Sequence, residues 1–295
     1  MENKLTKEQI GLESISPSKL QCYEECPLNF YYSVYLGIQL PESKLHMDFG
    51  TAVHEAIHEI YLQYDDHFGG SWEAASFDRV KKRFLKNWKP SMVTESMLND
   101  YSFTRAGRDN GFVNPKQLYD YFKDDGIKML ESYWKEKEML LVDHGHDLKH
   151  FEVPNKTYLK NPFNPEEQLP IPLSYRLDAA TREWDKIVDF KTSGSKYNQE
   201  ETHKKIQGRL YLLAHLSETG KFISDFDYTV LRKQLVRDER IEVVNLKYTM
   251  DDMMETYLRV EVILQKIANK EFYPPTRGHP SWCRCRNYQE ALKVN

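Results

Sequence analysis

The chain of 295 residues contains no run of about 18 apolar residues, the length a helix needs to span a bilayer, so no membrane partner is expected. It has no basic excess: 41 Lys and Arg stand against 45 Asp and Glu, for a net charge of −4. That balance excludes a protein that is basic all over. A nucleic-acid partner would have to be held by a local basic stripe, helped by bound metal. Cysteine is scarce, and four in a chain of this length exclude a disulfide-built scaffold. The opening MENKLTKEQIGLE lacks the apolar centre of a secretory signal, so a cytoplasmic location is expected. No internal repeat is visible. What is present is an ordinary soluble composition, 40% hydrophobic and 29% charged. The 19 tyrosines are more than usual, and aromatic faces serve both core packing and base stacking.

Periodicity and punctuation give an order of helices, strands, helix, strands, helix. Residues 1–14 read as loose. Ser16 and Pro17 are a good N-cap and first position for a helix running to Cys26-Pro27, and a second helix is expected from Asn29 to Tyr35. Residues 50–61 are helical by period, with Val53, Ile57, Ile60 and Tyr61 on the apolar face and His54 and His58 one turn apart on the next. An amphipathic helix is expected over 72–88 and a loop from Pro90 to Pro115. A long helix follows from Pro115 to Leu141, with Gly126 as its weak point. Residues 148–160 alternate like a strand, and 161–170, with three prolines, read as a turn. After the central stretch described next come a helix over 200–216, paired strands at 226–234 and 239–246, and a helix over 251–269. The expected class is α/β, a mixed sheet flanked by helices with a helical N-terminal elaboration. The expected organisation is a single domain over 1–295, with a helical insertion at 62–147 and a core at 148–250.

The stretch from Ser174 to Thr192, SYRLDAATREWDKIVDFKT, reads as two short strands joined by a turn. Side chains two apart share a face of a strand. Asp189 and Lys191 therefore lie together with Phe190 turned away, and the hairpin can return Asp178 to the same edge. Two carboxylates and one ammonium at one spot make sense around a divalent cation, which offsets the repulsion of the acids. The lysine is then left to touch a phosphate or a water. Two further patterns accompany it. Gln207 and Tyr211 stand four apart on one helix face, and Gly50-Thr-Ala-Val-His54 opens the earlier helix. Singly, each has a bland reading as a solvated strand edge, a chance pair or a structural histidine. Their order and spacing together carry the signal.

On these residues the chain resembles the RecB-like branch of the PD-(D/E)xK nuclease superfamily, which includes helicase-linked recombination nucleases, CRISPR-adaptation exonucleases and phage exonucleases. The resemblance runs through Ser16-Pro-Ser-Lys-Leu20, Cys26-Pro27, Phe30-Tyr31, Gly50-Thr51, His54-Glu55, Arg176-Leu177-Asp178, Ile187 to Thr192, Gln207 and Tyr211. It implies a restriction-endonuclease-like core and a Mg- or Mn-dependent deoxyribonuclease. The activity implied is that of an exonuclease on a DNA end or single strand in recombination, repair or phage DNA processing. It also implies a recombination or helicase partner and a bacterial or phage source. By resemblance, His54, Asp178, Asp189 and the backbone carbonyl of Phe190 bind the metal. Lys191 positions or activates the attacking water, and Gln207 and Tyr211 shape the DNA end of the site. Leu177 stands where the superfamily's nominal proline would be. Glu152 on the preceding strand is a further candidate acid. A histidine ligand tilts the preference of an oxygen-rich site towards Mn²⁺.

Three features compete or remain open. His54-Glu55-Ala56-Ile57-His58 matches H-E-x-x-H, the zinc-protease signature, without the downstream Gly and His of its longer form. The cysteines form two pairs, Cys22 with Cys26 and Cys283 with Cys285, where the resembled branch can hold a [4Fe–4S] cluster. Cluster, zinc and ordinary buried thiols stay open. Lys204, Lys205 and Arg209, with Arg232, Lys233, Arg237 and Arg240, form either a DNA track or a solvated face. A nuclease-fold DNA-binding or assembly protein with vestigial activity is the alternative of a different class.

Overall fold

The computed structural model describes residues 5–38, 44–65, 72, 75–102, 104–233, 240–273, 285, 287 and 288. The N-terminal part is helical: α1 (Lys7–Ile10), α2 (Pro17–Glu25), α3 (Pro27–Phe30) and a π-helical turn at Tyr31–Tyr35. Residues 5–14 are not loose as expected. Thr6 and Gln9 form a capping box on α1, Gly11 closes it at φ 74°, and Ile10 is fully buried. The predicted cap of α2 is present, with Ser16 Oγ accepting from Lys19 N–H at 3.3 Å.

The long helix α4 (Leu45–Asp65) is followed by α5 (Phe77–Asn87), α6 (Glu95–Ser102), α7 (Arg105–Asn110) and α8 (Pro115–Asp143). The expected loop at 90–115 therefore carries two short helices. Local caps make them: Thr94 Oγ1 accepts from Met97 N–H, Thr104 Oγ1 from Gly107 N–H, and Gly111 ends α7 in the left-handed region. Val93, Leu98 and Tyr101 anchor the segment in the core. Gly126, read as a weak point, is a close-packing point instead. A Cβ there would stand 2.5 Å from Phe84 Cζ and 3.1 Å from Phe49 Cε2.

Next come β1 (Leu148–Thr157), β2 (Lys160–Asn161), β3 (Asn164–Gln168), β4 (Leu173–Thr181), β5 (Lys186–Ser193), α9 (Gln199–His203), α10 (Ile206–Thr219), β6 (Asp225–Arg232), β7 (Ile241–Lys247) and α11 (Met250–Ala268). The predicted turn at 161–170 holds a small hairpin, β2 with β3. The main sheet runs β1-β4-β5-β6-β7, with β5 and β6 parallel and the other pairs antiparallel. This is the expected mixed α/β sheet flanked by helices. The parallel pair needs a crossover, which α9 and α10 supply.

The single helix predicted over 200–216 is broken at Lys204–Lys205. The carbonyls exposed by the break find other donors. His203 O accepts from Arg209 Nε at 3.1 Å and Tyr248 Oη at 3.4 Å, and Lys204 O from Arg259 at 3.3 Å. Tertiary hydrogen bonds thus override a sequence that is helical by period. The two faces of the sheet bury separate cores. One packs α10, α11 and the N-terminal segment around Ile187, Leu210, Phe226 and Val260, and the other packs α4, α5 and α8 around Val188, Phe190, Ile57 and Phe122.

Candidate active site

The site lies where β4 and β5 stop pairing. Their ladder is Ala179↔Val188 and Ala180↔Ile187, and one further step in that register would set Asp178 opposite Asp189. The strands part there instead, and Phe190 N–H donates to Asp178 Oδ2 at 2.9 Å. Strand β4 also changes phase at this point. Leu173, Tyr175 and Leu177 pack into the core beside α10, whereas Ala179 packs into the core beside α4. On β1, Glu152 sits between the paired positions Phe151↔Ala179 and Val153↔Leu177, and so opposite Asp178. Its φ of 49° is in the left-handed region, a conformation that costs a glutamate on the order of 1–3 kcal/mol. These two irregularities place both carboxylates under α4. His54, Glu152 and Asp178 each offer a ligand atom, all within 4.8 Å of one another, and His54 Nδ1 is 3.6 Å from Asp178 Oδ2.

Asp189 is 1% exposed and lies on the β5 face that turns towards α10. Its Oδ1 accepts from Gln207 Nε2 at 3.0 Å. Lys191 Nζ is 2.5 Å from Oδ2, without a well-directed hydrogen bond to that atom. Gln207 Nε2 also donates to Tyr211 Oη at 2.9 Å. The hairpin acids, the lysine and the Gln–Tyr pair of the helix are therefore brought together, with His54 joining from α4 across the edge of the Phe190 ring.

Burial raises the pKa of Asp178 to about 6, with Lys191 only partly offsetting it. Burial does the same for Asp189, again to about 6, and the neighbouring Asp178 adds to the rise. Burial lowers the pKa of His54, which favours a neutral imidazole with a lone pair to offer. Lys191 is pulled down by burial, but Asp189 and Asp178 outweigh that and its net shift is upward. His54, Glu152 and Asp178 thus form one donor group, Asp189 lies outside that group and pairs with Lys191, and this one ammonium acts on both aspartates. Arg176 adds a charge only at the rim, 3.2 Å from Glu152 and two-thirds exposed. Such an oxygen-rich donor set, strained by its own negative charge, fits a divalent metal ion.

The sequence model of the PD-(D/E)XK nuclease superfamily matches residues 14–288. The chain belongs to that superfamily. Membership assigns a phosphodiester-hydrolysing, metal-dependent nuclease, and the His54–Glu152–Asp178 group is the cluster of metal-ligating type among the described residues. No curated protein matches the chain. Among solved structures, one titled "Crystal structure of SSO0001" is 11% identical over 87% of this chain and 91% of that one, with a TM-score of 0.30.

Other sequence candidates fall elsewhere. The H-E-x-x-H residues do not form a centre of their own. Glu55 is held by Arg83, and His58 stacks on Phe151 with ring centroids 4.5 Å apart. Cys26 and Cys285 pack together with Leu28, so the two ends of the chain do meet, but Cys283 lies outside the described residues. Cys22 Sγ accepts from Asn29 Nδ2 at 3.3 Å and Cys26 Sγ from Asn29 N–H at 3.4 Å. Among the described residues Cys22, Cys26 and Cys285 are not found as a three-donor group.

The imagined basic track is largely consumed by structure. Arg209, Arg232 and Arg240 are buried and paired with Asp252 and Glu255, with Glu242, and with Asp125 respectively. Lys204 pairs with Glu200, Lys233 lies over the Phe49 ring, and Arg237 lies outside the described residues. Glu152, a further candidate acid by sequence, joins the donor group through a backbone twist that leaves no mark in composition or period. Tyr228, which no sequence pattern marks, stands beside Asp189 in the parallel register.

Proposed function

We propose that the chain is a Mg²⁺- or Mn²⁺-dependent deoxyribonuclease of the RecB-like type, acting as an exonuclease on a DNA end or single strand, with a recombination or repair complex as its setting. The observation that carries this reading is the surplus of buried carboxylate over ammonium at the parting of β4 and β5. His54, Glu152, Asp178 and Asp189, with the carbonyl of Phe190, would hold the ion. When bound, a divalent cation lowers the pKa of a coordinated water and stabilises charge on phosphate oxygens. The chain's own residues do the rest. Lys191, 29% exposed, presents a compact ammonium to a phosphate oxygen or the attacking water. Gln207 fixes the Asp189 carboxylate and is itself fixed by Tyr211, so the acid is held ready rather than recruited. The Phe190 N–H holds Asp178 in the same way. The helices over 62–147 read as an insertion that supports α4 and through it His54, within a single nuclease unit.

The test is hydrolysis of end-labelled single-stranded and duplex DNA with Mg²⁺ or Mn²⁺, comparing wild type with Asp189→Ala and Lys191→Ala. Release of mononucleotides from one end by the wild type, lost in both variants, supports the reading. Equal hydrolysis by all three removes it, and DNA binding without hydrolysis replaces it with an assembly role. The cysteines are decided separately by anaerobic purification. Iron and a brown colour mean a cluster, stoichiometric zinc means a zinc clasp, and neither means packed thiols.

A further inference from the structure

We infer that Lys205 and Tyr197 form a second cationic position beside Lys191, which takes the phosphate next to the scissile one in an extended single strand. The inference deepens the nuclease reading and rests on it. Its basis is a row of alternating charge and ring. Lys191 Nζ lies 5.9 Å from the ring centroid of Tyr228. The Tyr228 ring is 5.8 Å from that of Tyr197, and Lys205 Nζ stands 4.1 Å from the Tyr197 centroid. The row starts at the catalytic lysine and ends at solvent: Tyr228 is 1% exposed, Tyr197 is half-buried and Lys205 is exposed.

At the helix break, Arg209 and Lys204 are matched by carboxylates, whereas no carboxylate within 4 Å pairs with Lys205 among the described residues. The helix break explains why Lys205 is available. It adopts an extended N-cap conformation at φ −67° and ψ 134°, which takes its side chain out of the helical register and over the Tyr197 ring. A cation–π contact of this kind holds an ammonium in place while leaving its hydrogens to an incoming anion. Partial desolvation and then the charge of Lys191 lower the pKa of Lys205, with Asp189 and Glu201 opposing, so Lys205 lies within electrostatic reach of the Lys191–Asp189 pair. Lys191 is paired with Asp189, which a bound cation would engage, whereas Lys205 has no carboxylate partner within 4 Å among the described residues and can take one further negative charge. Successive phosphates of one strand supply such charges at a regular spacing. The partly exposed Tyr197 ring offers an apolar edge that suits an unpaired base, which a duplex keeps stacked inside. Tyr228 adds a buried hydroxyl that lacks a hydrogen-bond partner, beside Asp189 in the β5–β6 register. An arriving water or phosphate oxygen would satisfy it.

The experiment measures anisotropy of a fluorescein-labelled oligo(dT) and of a blunt duplex of equal length, with Ca²⁺ replacing Mg²⁺, across a salt series. Lys205→Gln is expected to weaken single-strand binding about tenfold at low salt. It should also reduce the slope of log K against log salt by about 0.7, the loss of one phosphate contact on a single strand. Lys205→Arg should restore both, and Tyr197→Leu should weaken binding in the same direction by less. In turnover with Mg²⁺, Lys205→Gln should raise KM for the single strand more than it lowers kcat. An unchanged slope in Lys205→Gln overturns the inference, as does an equal loss on duplex and single strand. If the wild type cleaves DNA while Lys205→Gln keeps full affinity and slope, this inference alone falls. If the wild type neither binds nor cleaves, the nuclease reading falls and takes this one with it.

Discussion

Two buried clusters on this sheet are built from the same three residue types and reach opposite electrostatic states. At the closed end of β6, Asp227 accepts from Asn245 at 2.6 Å, contacts His146 Nε2 at 2.9 Å and pairs with Lys186 Nζ at 3.1 Å. Lys186 also donates to the carbonyl of His144 at the C-terminal end of α8, where a cation suits the helix dipole. Burial alone would raise the pKa of Asp227, but His146 and Lys186 outweigh it and the net shift is downward. One carboxylate meets one ammonium, and the cluster is a clasp between the helical layer and the sheet. In the candidate active site an aspartate, a histidine and a lysine recur, but two further carboxylates join them and the aspartates shift upward. Charge balance, more than residue type, separates a structural ion pair from a site prepared for a cation.

The largest difference should appear on truncation. Asp189→Ala or Lys191→Ala should lower metal-dependent DNA hydrolysis on the order of 10³-fold, and Asp189→Ala, which removes a carboxylate whose pKa burial raises, should not lower metal-free stability in urea at neutral pH. Asp227→Ala should do the reverse in kind. It should cost about 3–5 kcal/mol in urea unfolding, because Lys186 is left buried without its partner. If both variants behave alike, the distinction between the clusters is wrong.

The next effect is on pH. Asp178 has a folded pKa near 6 against an ordinary carboxylate near 4, so the folded state holds its proton more tightly than the unfolded state does. Metal-free protein should therefore lose stability as pH rises through roughly 4 to 6, whereas Asp227, shifted down, contributes stability that is lost as pH falls. Asp178→Asn, which keeps an acceptor for Phe190 N–H, should raise metal-free stability at pH 7.5 by up to about 3 kcal/mol. The gain should vanish below about pH 4, where the wild-type acid is protonated. Thermal melts across pH read this directly, and added Mn²⁺ should reverse the order of the two proteins.

The smallest effect tests the wall rather than either cluster. Gly126→Ala puts a methyl group against Phe84 and Phe49 and should cost about 1–3 kcal/mol of stability with Mn²⁺ affinity unchanged. Chemical denaturation and metal titration on one preparation measure both.

Much of the site is legible in the sequence because its logic is periodic. A two-residue period puts Asp189 and Lys191 on one face, and a four-residue spacing puts Gln207 and Tyr211 on another. What is not legible depends on breaks in period. The left-handed backbone of Glu152 and the phase change of β4 at Asp178 come from strand pairing, which local sequence does not encode. The split between α9 and α10, which frees Lys205, depends on donors from Arg209, Tyr248 and Arg259, the last two more than 40 residues away. The helices at 95–110 rest on caps too short to produce a hydrophobic repeat. Gly126 resembles a weakness until the Phe84 ring beside it is known.

Binding of Mn²⁺, followed by loss of the free-ion EPR signal, tests the central claim most directly. Wild-type protein should remove Mn²⁺ from solution and release it to EDTA, and Asp178→Ala and Asp189→Ala should bind at least tenfold more weakly, a loss of about 1.4 kcal/mol or more. Equal Mn²⁺ affinity in the wild type and both variants would contradict the account.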